Sequence, residues 1–136
     1  MHNARLRTLM AIVALSGCAA LAPVAGGVAR TQRDRIQVAA PAQAQASHVY
    51  DVTISGYARQ RAQAYVFIDY GGCASSLAVE RQRAANQSDG YVVKGGFAET
   101  SGWKSSATGE DHACAYLVAS GSGAVLATAR QSYRIG

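Results

Sequence analysis

At 136 residues the chain has room for one domain, and its seven Tyr, two Phe and single Trp all lie between Tyr50 and Tyr133, so the first third contributes no aromatic core. The formal charge of +5 is front-loaded: Arg5, Arg7, Arg30, Arg33 and Arg35 precede residue 36, and from Ser47 onward eight basic residues face seven acidic ones. A near-neutral domain carries no footprint for phosphate, which argues against nucleic acid as a partner, and its length is too short for a doubly wound cofactor-binding fold, so no cofactor is expected.

Residues 1–7 hold two arginines and no acid, and residues 8–29 carry no charge and are rich in Ala, Leu and Val. That is the pattern of an export signal. Directly after a short apolar stretch comes Leu15-Ser16-Gly17-Cys18, which resembles the lipobox of bacterial lipoproteins and makes Cys18 a candidate lipidation site and membrane tether. Residues 19–29 stay apolar instead of turning polar, which fits a longer signal cut at Val24-Ala25-Gly26, Gly27-Val28-Ala29 or Ala44-Gln45-Ala46. Both readings, a lipoprotein leader and an ordinary signal peptide over 1–29, export the chain.

Residues 30–47 contain one Ile, one Val and an Ala/Gln/Pro tract. So little apolar surface does not offset the entropy of ordering, so the segment is expected to be a disordered tether, with a single domain over 48–136.

From Tyr50 the period is two: Tyr50, Val52 and Ile54 oppose Asp51, Thr53 and Ser55, and Gly56 is expected to end the strand. Residues 63–70 are apolar on both alternations, as a strand covered on two faces requires. Residues 74–85 lack Gly and Pro and read as a short helix, with Ser75 or Ser76 as its cap. Strands follow at 91–93 and 97–100, separated by a bend at Gly95-Gly96, and a weak one at 103–107. Residues 112–118 are again apolar on both faces, and Gly121-Ser122-Gly123 turns the chain into an alternating last strand, completing a hairpin. The expected fold is all-β, a small antiparallel β-sandwich of about six strands with one short helix; the alternative is α+β.

Two cysteines stay in this domain, Cys73 and Cys114, in a compartment where disulfides persist. They are expected to pair, and closing a loop of about 42 residues contributes about 4 kcal/mol in the chain-entropy picture. The functional alternative is a reactive thiol at Cys114 with His112 as its base, two residues away on one strand face.

No metal site is spelled out, because His48 and His112 are the domain's only histidines and Glu110-Asp111-His112 reads as a polar turn. Neither a nucleophile elbow nor a glycine-rich phosphate loop occurs. Most acids are assigned to solvation. Asp69 is the candidate ligand contact, since it interrupts an apolar strand just before Gly71-Gly72-Cys73. Trp103 is the second candidate: with Tyr57, Tyr65 and Tyr91 it could form a glycan platform, against the alternative that it is core. Arg59-Gln60-Arg61 and Arg81-Gln82-Arg83 are assigned to a solvated face.

Gly72-Cys73-Ala74 and Cys114-Ala115-Tyr116-Leu117, with Glu80, Gly96-Phe97, Trp103 and Gly109 between them, resemble a group of uncharacterised bacterial exported proteins with an immunoglobulin-like sandwich. The resemblance covers about residues 48–136 and implies that fold and export, with no assigned activity.

The functional expectation is therefore a non-enzymatic cell-envelope or extracellular interaction or structural module. A small-ligand or glycan-binding domain using exposed Tyr and Trp is the alternative. An enzyme comes third and needs at least two of Asp69, Glu99, Glu110 and His112 to converge in a cleft.

Overall fold

The computed structural model describes residues 32–88 and 90–136, so the leader, its cleavage sites and Cys18 lie outside the described residues. Among the described residues the strands are β1 (Arg35–Ala39), β2 (Gln43–Ala44), β3 (Val49–Asp69), β4 (Asn86–Gln87), β5 (Tyr91–Lys104), β6 (Gly109–Ala119) and β7 (Val125–Ile135), with one helix, α1 (Leu77–Arg83), between β3 and β4. The fold is the small all-β sandwich the patterning predicts.

β3 organises it. The two strands expected on either side of residue 58 are one 21-residue strand. Its first half pairs antiparallel with β1 (Val38 opposite Ile54) on one edge and with the second half of β5 (Val52 opposite Ser101) on the other. Its second half pairs with β6 (Val66 opposite Ala115) and with the start of β5 and β4. β3 thus serves both layers.

The change of layer falls where the pairing slips. Ala58 faces Gly95 and Ala62 faces Val93, so residues 59–61 of β3 bulge against Lys94 alone. An excess of residues on one strand bends it and sharpens its twist. Gly95 sits at φ +73°, which glycine adopts without a Cβ penalty, so β5 turns at the same point. Ala58 and Ala62 are fully buried at the fold line, where their small side chains let the layers approach. The Asp34 carboxylate accepts the Arg59 N–H at 2.7 Å, satisfying a donor the bulge takes out of the ladder.

Between the layers lie Val52, Ile54, Ala64, Val66 and Ile68 of β3, Ala113, Ala115 and Leu117 of β6, and Tyr133 and Ile135 of β7. β6 and β7 form the expected hairpin, with Ala115 opposite Ala129, and β2 adds a short parallel edge to β7.

The expected tether is corrected by β1 and β2. The compact unit starts at Gln32, not residue 48. Ile36 and Val38 share a face, as strand period requires, and Ile36 is buried in the common core. The segment needs no core of its own, because β3 offers it an open edge and the sandwich offers it apolar surface. Gln131 fastens its end, accepting the Ala40 N–H at 3.0 Å and donating to the Ala40 carbonyl at 2.7 Å.

Gly56 has the opposite meaning from the one its sequence position suggests. It lies inside β3, and a Cβ there would overlap the carbonyl oxygen of Arg35 on β1. Glycine is what lets the two backbones come together. Gly56→Ala is expected to lower the urea midpoint by the equivalent of about 2 kcal/mol and to strip hydrogen-exchange protection from Ile36 and Val38 first.

Candidate functional site

The outer face of the β3–β6 layer carries Phe67, Cys114 and Tyr116, and a second apolar cluster covers it with Cys73, Leu77 and Ala84. The Phe67 and Tyr116 rings meet edge to face, centroids 5.5 Å apart. The cover is the stretch from Gly71 to Arg83. Ser76 caps α1 by accepting the Val79 N–H at 3.4 Å, so the helix is shorter than its pattern allows, beginning at Leu77 and ending where Ala84 donates to the Glu80 carbonyl. Cys73 and Cys114 are bonded to each other, with Cα atoms 5.5 Å apart, and fix this cover to β6.

Beneath the cover lies a compact polar cluster. Asp69, the last residue of β3, is 3% exposed; its Oδ1 accepts the Gly71 N–H at 2.7 Å and its Oδ2 accepts from Arg83 Nε and Nη2 at 3.2 and 2.9 Å. Arg83 Nη2 also donates to the Gly72 carbonyl. Glu80 is fully buried; its Oε2 accepts the Ala74 N–H at 3.0 Å, while its Oε1 has no hydrogen-bond partner. The Tyr116 hydroxyl donates to the Ala74 carbonyl at 2.6 Å. Both backbone groups of Ala74 are therefore held, one from the helix and one from the sheet.

The two carboxylates share one guanidinium and are driven apart in acidity. Burial opposes ionisation of Asp69, but the Gly71 N–H and the Arg83 guanidinium outweigh it and hold Asp69 below the ordinary carboxylate range. For Glu80 burial dominates, the Ala74 N–H offsets part of it, and Asp69 adds to it through a carboxyl–carboxylate hydrogen bond and through its charge, so its acidity is weakened. Burial, reinforced by Glu80, also pushes the Tyr116 hydroxyl up to about 12, keeping it a neutral donor. One carboxylate oxygen of Glu80 lies within 4.8 Å of both sulfurs, but a disulfide offers a metal no thiolate.

Asp69 spends its carboxylate inside the molecule rather than at a surface, and Trp103, at 9% exposed, lies in the inter-layer core with its indole N–H donating to Ser101 Oγ at 2.8 Å. An aromatic platform that includes Trp103 is not presented. Beside the same end of β3, which pairs Asp69 with His112, a buried chain runs from Tyr133 through Tyr50 to Ser105 and Asp111, with O···O distances of 2.7, 2.9 and 2.6 Å. Asp111 is thus not the turn residue its neighbours suggest. Burial and the Tyr50 hydroxyl push Tyr133 far above the ordinary tyrosine range.

His112 does not face Cys114 as a base: its Nδ1 meets Ser132 Oγ at 2.9 Å and its Nε2 lies 3.4 Å from Glu110 Oε1. Ser132, His112 and Glu110 have the order of a hydrolytic relay. They stand on the hairpin surface, where His112 is opposite Ser132 in the ladder and the Glu110 side chain is 56% exposed.

Sequence reasoning missed Glu80 and Arg83 as partners of Asp69. A signal existed, because Glu80 follows Leu77 by three and precedes Ala84 by four, which puts it on the apolar face of the helix.

A bent two-layer sheet of this kind, with a short helix on its outer face, is similar in fold to solved sandwich domains. The CARDB domain of the PF1109 protein from Pyrococcus furiosus, solved in complex with di-metal ions, is similar over 76% of this chain and 87% of its own, at 10% identity and a TM-score of 0.52. The PKD domain of an M14-like peptidase from a Thermoplasmatales archaeon aligns over 78% of this chain and 98% of its own, at 10% identity and a TM-score of 0.43. No protein-family model and no curated protein matches the chain. The likeness to the CARDB domain shows the fold and nothing finer.

Glu80 makes a sign-definite prediction. Its folded-state value lies above the ordinary 4.5, so the native state holds a proton that the unfolded chain releases; the associated stability is present below 4.5 and is lost as pH rises through the raised value. Glu80→Gln keeps the acceptor for Ala74 and cannot ionise. Wild type and variant are expected to melt together near pH 4, with the variant increasingly the more stable toward pH 8, measured by calorimetry; parallel curves would mean that Glu80 does not titrate anomalously.

Proposed function

We propose that the chain is an exported, non-catalytic module that serves an interaction or structural role in the cell envelope or extracellular space. The observation that carries this is the clamp itself. Its buried ionisable groups, Asp69 and Glu80 with Arg83, are engaged in tying residues 71–74 to the sheet over a disulfide, which is how a small exported domain gains rigidity. The leader over residues 1–29 supports export, and Cys18 supports a lipid tether as one form of it. Partners are sought among envelope and extracellular components and not among nucleic acids, given the balanced charge beyond residue 47. The place of β1 in the fold supports a signal cut before Gln32 over one after Ala46, which would remove a strand that pairs with β3.

Two measurements test this reading. Intact mass of the protein from membrane and soluble fractions of its own host is expected to show a chain beginning at lipid-bearing Cys18, or a soluble chain beginning between residues 26 and 32. A chain retaining Met1 with free thiols at Cys73 and Cys114 would overturn export. A fluorophosphonate probe is expected to leave Ser132 unlabelled, and labelling that Ser132→Ala abolishes would make the module a hydrolase instead.

A further inference from the structure

The two sulfurs of the disulfide are not equivalent. Cys114 is fully buried, whereas Cys73 is partly exposed and lines a groove of about 380 Å³ with Ala74, Ser75, Tyr116, Thr128 and Arg130. Of the two cysteines, Cys73 is the one that meets solvent. Arg130 stands opposite Cys114 in the β6–β7 register, is exposed, and has no acidic partner within 4.0 Å among the described residues. Behind the disulfide, Glu80 is buried with one oxygen unpartnered and one oxygen within 4.8 Å of both sulfurs.

We propose that Cys73–Cys114 is an exchangeable disulfide that captures a carboxylate-bearing low-molecular-weight thiol at Cys73, with Glu80 donating the proton that the departing Cys114 sulfur requires. This goes beyond the interaction reading and stands without it. In the step, the incoming thiolate attacks Cys73 Sγ and forms the new S–S bond. The Cys73–Cys114 bond breaks and its electron pair stays on Cys114 Sγ. The Glu80 proton passes to that sulfur, leaving a mixed disulfide at Cys73, a thiol at Cys114 and an ionised Glu80, which recovers its proton from solvent. A second thiol of the same class releases Cys73 as a thiol and leaves as the oxidised dimer, so two thiols supply the two electrons.

The need for a proton donor follows from burial. A thiolate at Cys114 would be an uncompensated charge in a low-dielectric interior, beside two carboxylates that share one arginine. Transfer of the Glu80 proton as the bond breaks moves that charge from the sulfur onto a carboxylate whose Oε2 already accepts the Ala74 N–H and lies 4.0 Å from the Arg83 guanidinium, where it is better compensated. Arg130 at the groove selects a thiol that carries carboxylates over one that carries an amine.

The experiment exposes the oxidised full chain, without denaturant, to glutathione or to cysteamine, quenches with acid and locates the adduct by peptide mass. A single adduct on Cys73 is expected, formed several-fold faster with glutathione than with cysteamine. Arg130→Ala is expected to erase that preference by slowing glutathione, with cysteamine no slower than on the wild type. Glu80→Gln, which keeps the contact to Ala74, is expected to slow both thiols by about tenfold or more. That deficit should shrink as pH rises through the raised Glu80 value, where the wild type loses its donor as well. An adduct on Cys114, no adduct until urea unfolds the chain, or equal rates for Glu80→Gln and wild type would each overturn the proposal. If Glu80→Gln fails to fold by circular dichroism, the adduct position and the Arg130 comparison decide.

Discussion

A single strand that belongs to both layers is the constraint on which this molecule rests. β3 runs through 21 residues, and every other strand except β2 and β7 pairs with it directly. Its bend at residues 58–62 turns one hydrogen-bonded sheet back over itself, and the core is the space the bend encloses. The means are simple: a bulge of three residues against one, a glycine at positive φ opposite, and alanines where the layers close. β1 is a consequence, because its first half-partner is the edge that the bend leaves open.

The far end of the same strand sets up the second layer of organisation. β3 ends at Asp69, and its register with β6 places Phe67 opposite Cys114 and Tyr65 opposite Tyr116. The outer face beside Asp69 therefore presents a sulfur and three rings that water would otherwise reach. The segment from Gly71 to Arg83 covers them, and burying it costs backbone polar groups and two carboxylates their hydration. The structure answers each cost locally, through Asp69 for the Gly71 N–H, Arg83 for the Gly72 carbonyl, and Glu80 with Tyr116 for Ala74. Among the buried side-chain oxygens and nitrogens of the described residues, only Glu80 Oε1 is left without a partner, and a protonated carboxyl is the form that tolerates such a place best. Structural clamp and reactive disulfide are thus compatible uses of the same residues.

The legible part of the fold was the part with local periodicity. Alternation at residues 50–55 and 125–135, two-sided apolar runs at 63–70 and 112–118, and the glycine pair before Phe97 each mark what the structure contains, because each residue's face is fixed by its immediate neighbours. Gly56 and the segment around Ile36 were read the wrong way for one shared reason: β1 is held by an edge 20 residues further on, and neither a lone Ile nor a lone Gly announces its distant partner. The site was legible in its disulfide and in Asp69 as an anomaly, but not in what Asp69 binds. Arg83 and Glu80 resemble any exposed helical pair until the helix is laid on the sheet, and Trp103 and Asp111 turn inward only in the assembled sandwich.

The central claim is that the bond between Cys73 and Cys114 holds the outer cover onto a sandwich that β3 has already formed. Urea unfolding of the Cys73→Ala/Cys114→Ala double variant tests it most directly, read by far-ultraviolet circular dichroism and by hydrogen exchange. The account predicts a β-sheet spectrum like that of the wild type, a loss of about 4 kcal/mol in stability, and loss of amide protection at Gly71 and Ala74 ahead of Val66 and Ala115. A variant as stable as the wild type with Ala74 still protected, or one with no folded sheet at all, would contradict it.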